Sequence, residues 1–191
     1  MKQRFYSIVI GGLLIFILWG CHSHYTPKPM EYFRIDLPQK KYILYDSVCP
    51  YSFQYPAYAR IVKGLDTKEP CWISIDFPSF KATVYITYFA ITNNLSHLLD
   101  DCHTLAYKHD IKADAIHEIL YSDTLRKIYG MVYEIKGDAA SPLQFYVTDS
   151  VKHFLRASLY FNVKPNKDSL APVIEFIDKD VKHLIETLTW K

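Results

Sequence analysis

Segments in which apolar and polar residues alternate recur along most of the chain after residue 50. In the first of them, Tyr51, Phe53 and Tyr55 are separated by polar residues, and Pro56 closes the run. Successive side chains of a strand point to opposite faces of a sheet, so this period of two predicts strands with one buried face. Six segments have the pattern: YSFQYP, CWISIDF, ATVYITYF, RKIYGMVYEIKG, LQFYVTD and HFLRASLYFNV.

The short connections between these segments predict antiparallel pairing. Pro78 separates the second segment from the third, and Gly137 with Asp138 joins the fourth to the fifth. Proline and glycine favour tight turns, and strands joined by a tight turn run antiparallel. Residues 30–50 are too irregular to assign, and KADAIHEILY fits either a helix or a strand.

Two segments have the period of an amphipathic helix. The first follows Asn93 and Asn94, which are good capping residues, and its apolar stripe is Leu95, Leu98, Leu99, Cys102, Leu105 and Ala106. In the second, Asp168 and Ser169 are predicted to cap the helix and Pro172 to fall in its first turn. Its stripe is Val173, Phe176, Ile177, Val181, Leu184, Ile185 and Leu188. The predicted class is α+β: a mainly antiparallel sheet of about six strands, packed with two main helices.

Length and composition fit a single globular domain over residues 31–191. The chain has 191 residues, half of them hydrophobic, which is enough for an ordinary core and argues against wholesale disorder. The formal charge is +2, and no cluster of lysine and arginine is dense enough to follow a phosphate backbone. We therefore expect no nucleic-acid partner.

The N-terminus has the pattern of an exported lipoprotein. Lys2 and Arg4 precede an apolar run, Ile8 to Trp19, that is shorter than the roughly 20 residues of a membrane-spanning helix. The next residues complete the sequence Leu-Trp-Gly-Cys, which resembles the lipobox of bacterial lipoproteins. The resemblance implies that residues 1–20 are a signal peptide and that Cys21 carries the diacylglyceryl and N-acyl chains, commonly palmitate. A signal anchor retained as a helix is the alternative.

Residues 21–30 are interpreted as a tether from the lipid to the domain. Pro27 and Pro29 stiffen this polar segment, and no acidic residue occurs before Glu31. Surface-exposed lipoproteins of Bacteroidota usually carry acidic residues after the cysteine. Their absence favours a domain facing the periplasm. His22 stands where inner-membrane lipoproteins of enterobacteria carry a retaining aspartate, which favours the outer membrane over the inner one.

The cysteines beyond Cys21 are odd in number, so at least one of Cys49, Cys71 and Cys102 is unpaired. Cys102 lies on the apolar stripe of the first helix and is predicted to be a core residue. A Cys49–Cys71 disulfide remains open, because the sequence does not give the distance between the two residues.

No catalytic, cofactor-binding or metal-binding residue is predicted. His117 and Glu118 begin a possible zinc-protease motif, but Tyr121 stands where the second histidine is needed. His97, Asp101 and His103 are favoured as a polar helix face, and a periplasmic hydrolase that uses them is the alternative. Strand aromatics also raise the alternative of an exposed protein-docking face; the residues concerned are Tyr85, Tyr88, Phe145 and Tyr146.

An ordered series of strings resembles one protein family: EYFRIDLP, PCWISIDFPSFKATVYITY, NNLSHLLDD, TLAYKHDIKADAI, YGMVYEIKGDAAS, FYVTDSVKHFLRASLYFN and PNKDSLAPVIEFIDKDVKHLIETLTWK. Together they resemble the gliding motility lipoprotein GldD family of Bacteroidota. The resemblance implies a non-enzymatic accessory component of the gliding and type IX secretion machinery. It implies a membrane anchor at Cys21, other envelope proteins of that machinery as partners, and no cofactor.

A second likeness concerns shape. The FQYP strand, the hairpins that follow it and the late helix resemble the Mog1/PsbP-like α/β/α sandwich. That fold often serves binding, so the likeness favours a binding role by analogy alone. A lipoprotein that holds a small apolar ligand between sheet and helix is a further alternative.

Overall fold

The structure is a computed structural model that describes residues 35–63 and 69–191. The predicted signal peptide, Cys21 and the tether as far as residue 30 lie outside the described residues. Residues Asp36–Lys191 form one compact unit. No helix among the described residues has both the length and the apolar character to cross a bilayer.

Most of the strands form one seven-stranded antiparallel sheet with the order β3-β4-β5-β9-β8-β7-β6. Its strands are β3 (Arg60–Lys63), β4 (Ile73–Phe77), β5 (Ala82–Ala90), β6 (Ala113–Asp123), β7 (Ile128–Gly137), β8 (Leu143–Thr148) and β9 (His153–Phe161). A smaller sheet, β1-β2-β10, consists of β1 (Tyr42–Tyr45), β2 (Tyr51–Pro56) and β10 (Thr189–Trp190). The helices are α1 (Leu95–Tyr107) and α2 (Lys167–Thr187), with short 3-10 turns at Pro78–Phe80 and Asp110–Lys112.

The predicted hairpins are confirmed. β4 pairs with β5 across the Pro78 turn, where Lys81 takes a left-handed φ of 49°. β7 pairs with β8 after Gly137, whose φ of +109° suits a residue without a Cβ. The turn residues therefore fix which residues of the two paired strands lie opposite each other. The alternating pattern alone did not determine this register.

The two helices cover opposite faces of the large sheet. Along β9, Leu155 and Leu159 belong to the core under α2, whereas Phe154 packs against Leu98 and Cys102 of α1. Both predicted apolar stripes point inward. The predicted α+β class is confirmed, with one helix on each face.

The C-terminal helix begins earlier than predicted. Asn166, not Asp168, is its N-cap, and the Asn166 side chain accepts a hydrogen bond from the Ser169 N–H at 3.0 Å. Pro172 therefore lies inside the helix instead of in its first turn. The prediction failed because Asn, Asp and Ser are all good caps and stand close together in the sequence.

The structure shows which cysteines pair, because it gives the distance between Cys49 and Cys71. Cys49 and Cys71 form a disulfide with a Cα–Cα separation of 5.5 Å, which closes the loop after β1 onto the residues before β4. Cys102 is free and buried in α1, as predicted, and burial raises the pKa of its thiol to about 12.

Candidate partner-binding groove

A groove of about 540 Å³ lies beside the first half of α2, over β7 and the neighbouring end of β6. One helix, about 10 Å across, spans roughly two strands spaced about 4.8 Å apart. The sheet is wider than that, so the strands at this edge are not fully covered by α2. Pro142, Leu143, Ala171 and Ile174 supply the apolar lining of the groove.

Charged pairs form one side of the groove. Lys182 Nζ lies 2.7 Å from Asp178 Oδ2 and 3.3 Å from Glu134 Oε1, and Lys136 Nζ lies 3.1 Å from Glu134 Oε2. Burial alone would raise the pKa of Glu134, but the hydrogen bonds from Lys136 and Lys182 outweigh it and lower that pKa. The hydrogen bond with Asp178 raises the pKa of Lys182. Glu134 and Lys182 are therefore held in their charged forms.

The other end of the groove is closed by the start of α2. Lys167 Nζ bonds Asp114 Oδ2 of β6 at 2.7 Å, and the Lys167 backbone N–H donates to Asp138 Oδ1 at 2.8 Å. Both contacts fasten the helix N-terminus to the edge of the sheet. The groove is thus defined by secondary structure on both sides.

One carboxylate oxygen in the groove has no partner within the described residues. Asp178 Oδ2 bonds Lys182, but Asp178 Oδ1 is buried and accepts no hydrogen bond. An unsatisfied buried acceptor costs about 1–3 kcal/mol. Asp178 lines the groove beside Ile174, where the charged side of the groove meets its apolar lining.

The histidines of the hydrolase alternative lie on the other side of the sheet. His97 Nδ1 is 3.0 Å from Asp101 Oδ2, and both side chains are largely exposed, at 77% and 53%. His103 stacks on Tyr107 and lies 3.9 Å from Glu118 of β6. His97 and His103 are six positions apart, about 240° around the helix axis, so the three predicted residues form two separate contacts.

The structure also explains why His117 and Glu118 do not form a zinc-protease motif. His117 and Glu118 are neighbours in strand β6, so their side chains point to opposite faces of the sheet. A zinc-protease motif needs a helix at that position. Across the described residues, no three His, Cys, Asp or Glu side chains are grouped to hold a metal ion.

Of the four aromatic residues named for a docking face, only Tyr85 is exposed. Phe145 is buried, Tyr88 packs against Tyr51, and Tyr146 stacks on Phe154 beneath α1. Tyr160, which the sequence analysis did not single out, forms a T-shaped pair with Tyr85 at 5.9 Å. The exposed aromatic face is thus smaller than the sequence suggested.

A buried charge cluster was not anticipated. Asp180 of α2 is 2% exposed and accepts hydrogen bonds from Lys40, from the Tyr42 hydroxyl at 2.9 Å and from the Tyr58 hydroxyl. Burial, and then the bond to Asp180, raise the pKa of both tyrosines. The signal was present in the sequence, because Asp180 is an acidic residue within the apolar stripe of α2.

Comparison with solved structures supports the predicted fold. The solution structure of cyanobacterial PsbP (CyanoP) from Synechocystis sp. PCC 6803 matches with a TM-score of 0.51 and 12% identity. The match covers 83% of this chain and 98% of that one. At this identity the likeness concerns the fold alone, and it confirms the PsbP-like architecture. Curated protein sequences give no match.

The family model for the gliding motility lipoprotein GldD matches residues 22–190. The match covers nearly the whole chain and includes both sheets, both helices and the groove. The chain therefore belongs to the gliding motility lipoprotein GldD family and is a membrane-anchored lipoprotein of the cell envelope.

Proposed function

We propose that the protein is a non-enzymatic accessory component of the gliding motility and type IX secretion machinery. Lipid on Cys21 holds it at the membrane, facing the periplasm and at the outer membrane rather than the inner one. It acts by binding a segment of another envelope protein of that machinery in the groove beside α2. Membership of the GldD family supports the role, and an apolar lining flanked by lysine–carboxylate pairs supports the site.

The chemistry of the groove favours a peptide segment. Its apolar lining accepts aliphatic side chains, while the charged groups along its side, Glu134, Lys136 and Asp178, offer hydrogen bonds to a peptide backbone. The carboxylates of Glu134, Glu175 and Asp178 are already paired with lysines and orient the segment without needing to be neutralised. Such a mixture of apolar centre and polar rim is typical of protein interfaces.

Confinement to a membrane lets a weak interface suffice. Two proteins held at one bilayer meet at an effective concentration far above their average concentration in the compartment. A groove of about 540 Å³ buries only a short segment, so we expect modest intrinsic affinity. The lipid anchor compensates for this modest affinity by raising the local concentration of the two proteins. The proposed role requires no catalytic turnover by the domain.

The test is a charge placed on the apolar lining. Ile174→Glu should leave the circular dichroism spectrum unchanged but abolish capture of envelope partners and reduce gliding and type IX secretion. Val62→Glu is the matched control, because Val62 is 44% exposed on β3, at the opposite edge of the sheet. Equal behaviour of the two variants would refute the groove as the binding site.

The groove also has a volume suited to a small apolar ligand, which is the second candidate function. Mass spectrometry of the purified protein separates the two: a stoichiometric co-purified lipid that Ile174→Glu displaces would favour the ligand. The hydrolase alternative is tested by replacing His97, Asp101 and His103 with alanine. Loss of function in a folded triple variant would favour an enzyme.

A further inference from the structure

Three turns at one end of the domain each expose an aliphatic side chain. Val48 follows β1 and is 98% exposed, Leu125 lies between β6 and β7 and is 95% exposed, and Val151 lies between β8 and β9 and is 67% exposed. Single exposed aliphatic residues are ordinary on a protein surface. Here, however, three exposed aliphatic side chains lie at the tips of turns that meet at one end of the domain.

Contacts through the C-terminal residues hold these turns together. Trp190 Nε1 donates to the Lys127 carbonyl at 3.3 Å, and the Trp190 ring stacks on His153 at 5.2 Å. Lys191 bonds Asp46 Oδ1 and also the carbonyl of Ser47, next to Val48. The β1–β2, β6–β7 and β8–β9 turns are thereby fixed around β10.

Lys127 and Lys152 stand beside the aliphatic tips, and both are exposed. The three acids of the same turns are bonded: Asp46 to Lys191, Asp123 to Arg126, and Asp149 to the backbone N–H groups of residues 151–153. Across the ranges 35–63 and 69–191, by contrast, neither Lys127 nor Lys152 forms an ion pair. The tips therefore present positive charge that is free to meet an anionic surface.

We propose that this loop-tip surface, Val48, Leu125, Val151, Lys127 and Lys152, contacts the interface of a lipid bilayer that contains anionic headgroups. Aliphatic side chains on separate turns enter the acyl boundary individually, while neighbouring lysines reach the headgroup phosphates. Half-buried Trp190 lies among them, and tryptophan prefers the same boundary region. The family's lipid anchor already places the domain beside a bilayer, and this contact gives it a fixed orientation there.

The experiment uses the full lipidated chain in vesicles of phosphatidylethanolamine, with or without about one quarter phosphatidylglycerol. An environment-sensitive fluorophore is attached to a cysteine introduced at Leu125 or, as the control, at Ile111. Ile111 is 87% exposed and lies just before β6, whereas Leu125 lies just after it. The 11 residues of β6 place the two labels about 35 Å apart.

We expect a blue shift and quenching by spin-labelled lipid at position 125 in the anionic vesicles, and neither effect at position 111. Val48→Asp with Val151→Asp, or Lys127→Glu with Lys152→Glu, should lower the fraction of quenched label at position 125 about tenfold. A label at position 125 that remains in water would overturn the proposal. Equal quenching at both positions would also overturn it, because contact would then lack a preferred face.

Discussion

The ammonium group of Lys40 lies 2.5 Å from Asp180 Oδ1, at a buried position of an otherwise apolar helix stripe. Lys40 Nζ also lies 3.7 Å from the centre of the Phe176 ring and donates to the Phe176 carbonyl at 2.9 Å. These contacts fasten the segment that precedes β1 to the middle of α2. That segment follows the tether in the sequence, so it is where the folded domain begins after the predicted anchor.

Removing the Asp180 carboxylate should destabilise the domain strongly. Asp180→Ala leaves the Lys40 ammonium and the hydroxyls of Tyr42 and Tyr58 without their acceptor, and breaking a buried pair of this kind costs about 3 kcal/mol or more. Urea unfolding followed by circular dichroism measures the loss. Asp100→Ala, at an exposed position of α1, is the control, and an equal effect of both changes would contradict a structural role for the cluster.

The Cys102 thiol should be inert in the folded protein. With a pKa of about 12 it is ionised in roughly one molecule in ten thousand at pH 8, and it is also buried. We expect a maleimide to label Cys102 only after denaturation, with Cys49 and Cys71 protected as a disulfide. Fast labelling under native conditions would show that α1 does not pack as described.

The turn around Asp149 should make stability depend on pH. Burial acts to raise the pKa of Asp149, but hydrogen bonds from the backbone N–H groups of His153, Lys152 and Val151 outweigh it and lower that pKa. Because the folded pKa lies below the ordinary value of 3.8, this stabilisation is present above that value and is lost as pH falls towards the folded pKa. Asp149→Ala should therefore lower the melting temperature at pH 7 more than at pH 3. A pH-independent difference between the two proteins would contradict this assignment.

Membrane attachment through Cys21 remains a prediction from the sequence. Cys21→Ser should abolish incorporation of an alkyne-labelled fatty acid and move the protein from the membrane fraction to the soluble fraction, since acyl chains supply most of the membrane affinity. Cys102→Ser is a control for the loss of a thiol elsewhere. Persistent membrane association of the Cys21 variant would point to the retained signal anchor instead.

The strands and helices that the sequence predicted are those in which burial of one face imposes a periodic pattern of apolar residues. The edge strand β6 could not be assigned from the sequence. Most of its side chains are exposed, so its sequence lacks the regular alternation of apolar and polar residues that marks a strand with one buried face. The short strands β1, β3 and β10 were missed for a related reason, since two to four residues are too few to establish a period. The structure therefore contains ten strands in the described ranges, where the sequence predicted about six.

The candidate site depended on tertiary packing that sequence reasoning does not supply. Lys182 of α2 and Glu134 of β7 are 48 positions apart and meet only because the helix crosses that strand. The pairs of Lys179 with Glu175 and of Lys182 with Asp178 are local, because residues four positions apart are neighbours on one helix. The groove and the burial of Asp178 Oδ1 beside it follow only from the fold.

The most direct test of the account is photo-crosslinking in the native host from a benzoylphenylalanine placed at Ala171, which lines the groove and is exposed. The same probe at Val62, on the far edge of the sheet, is the control. We predict that position 171 alone yields a specific crosslink to another envelope protein of the gliding or type IX secretion machinery, and that Ile174→Glu eliminates it. No protein crosslink from position 171, or the same crosslinks from both positions, would contradict partner binding in the groove.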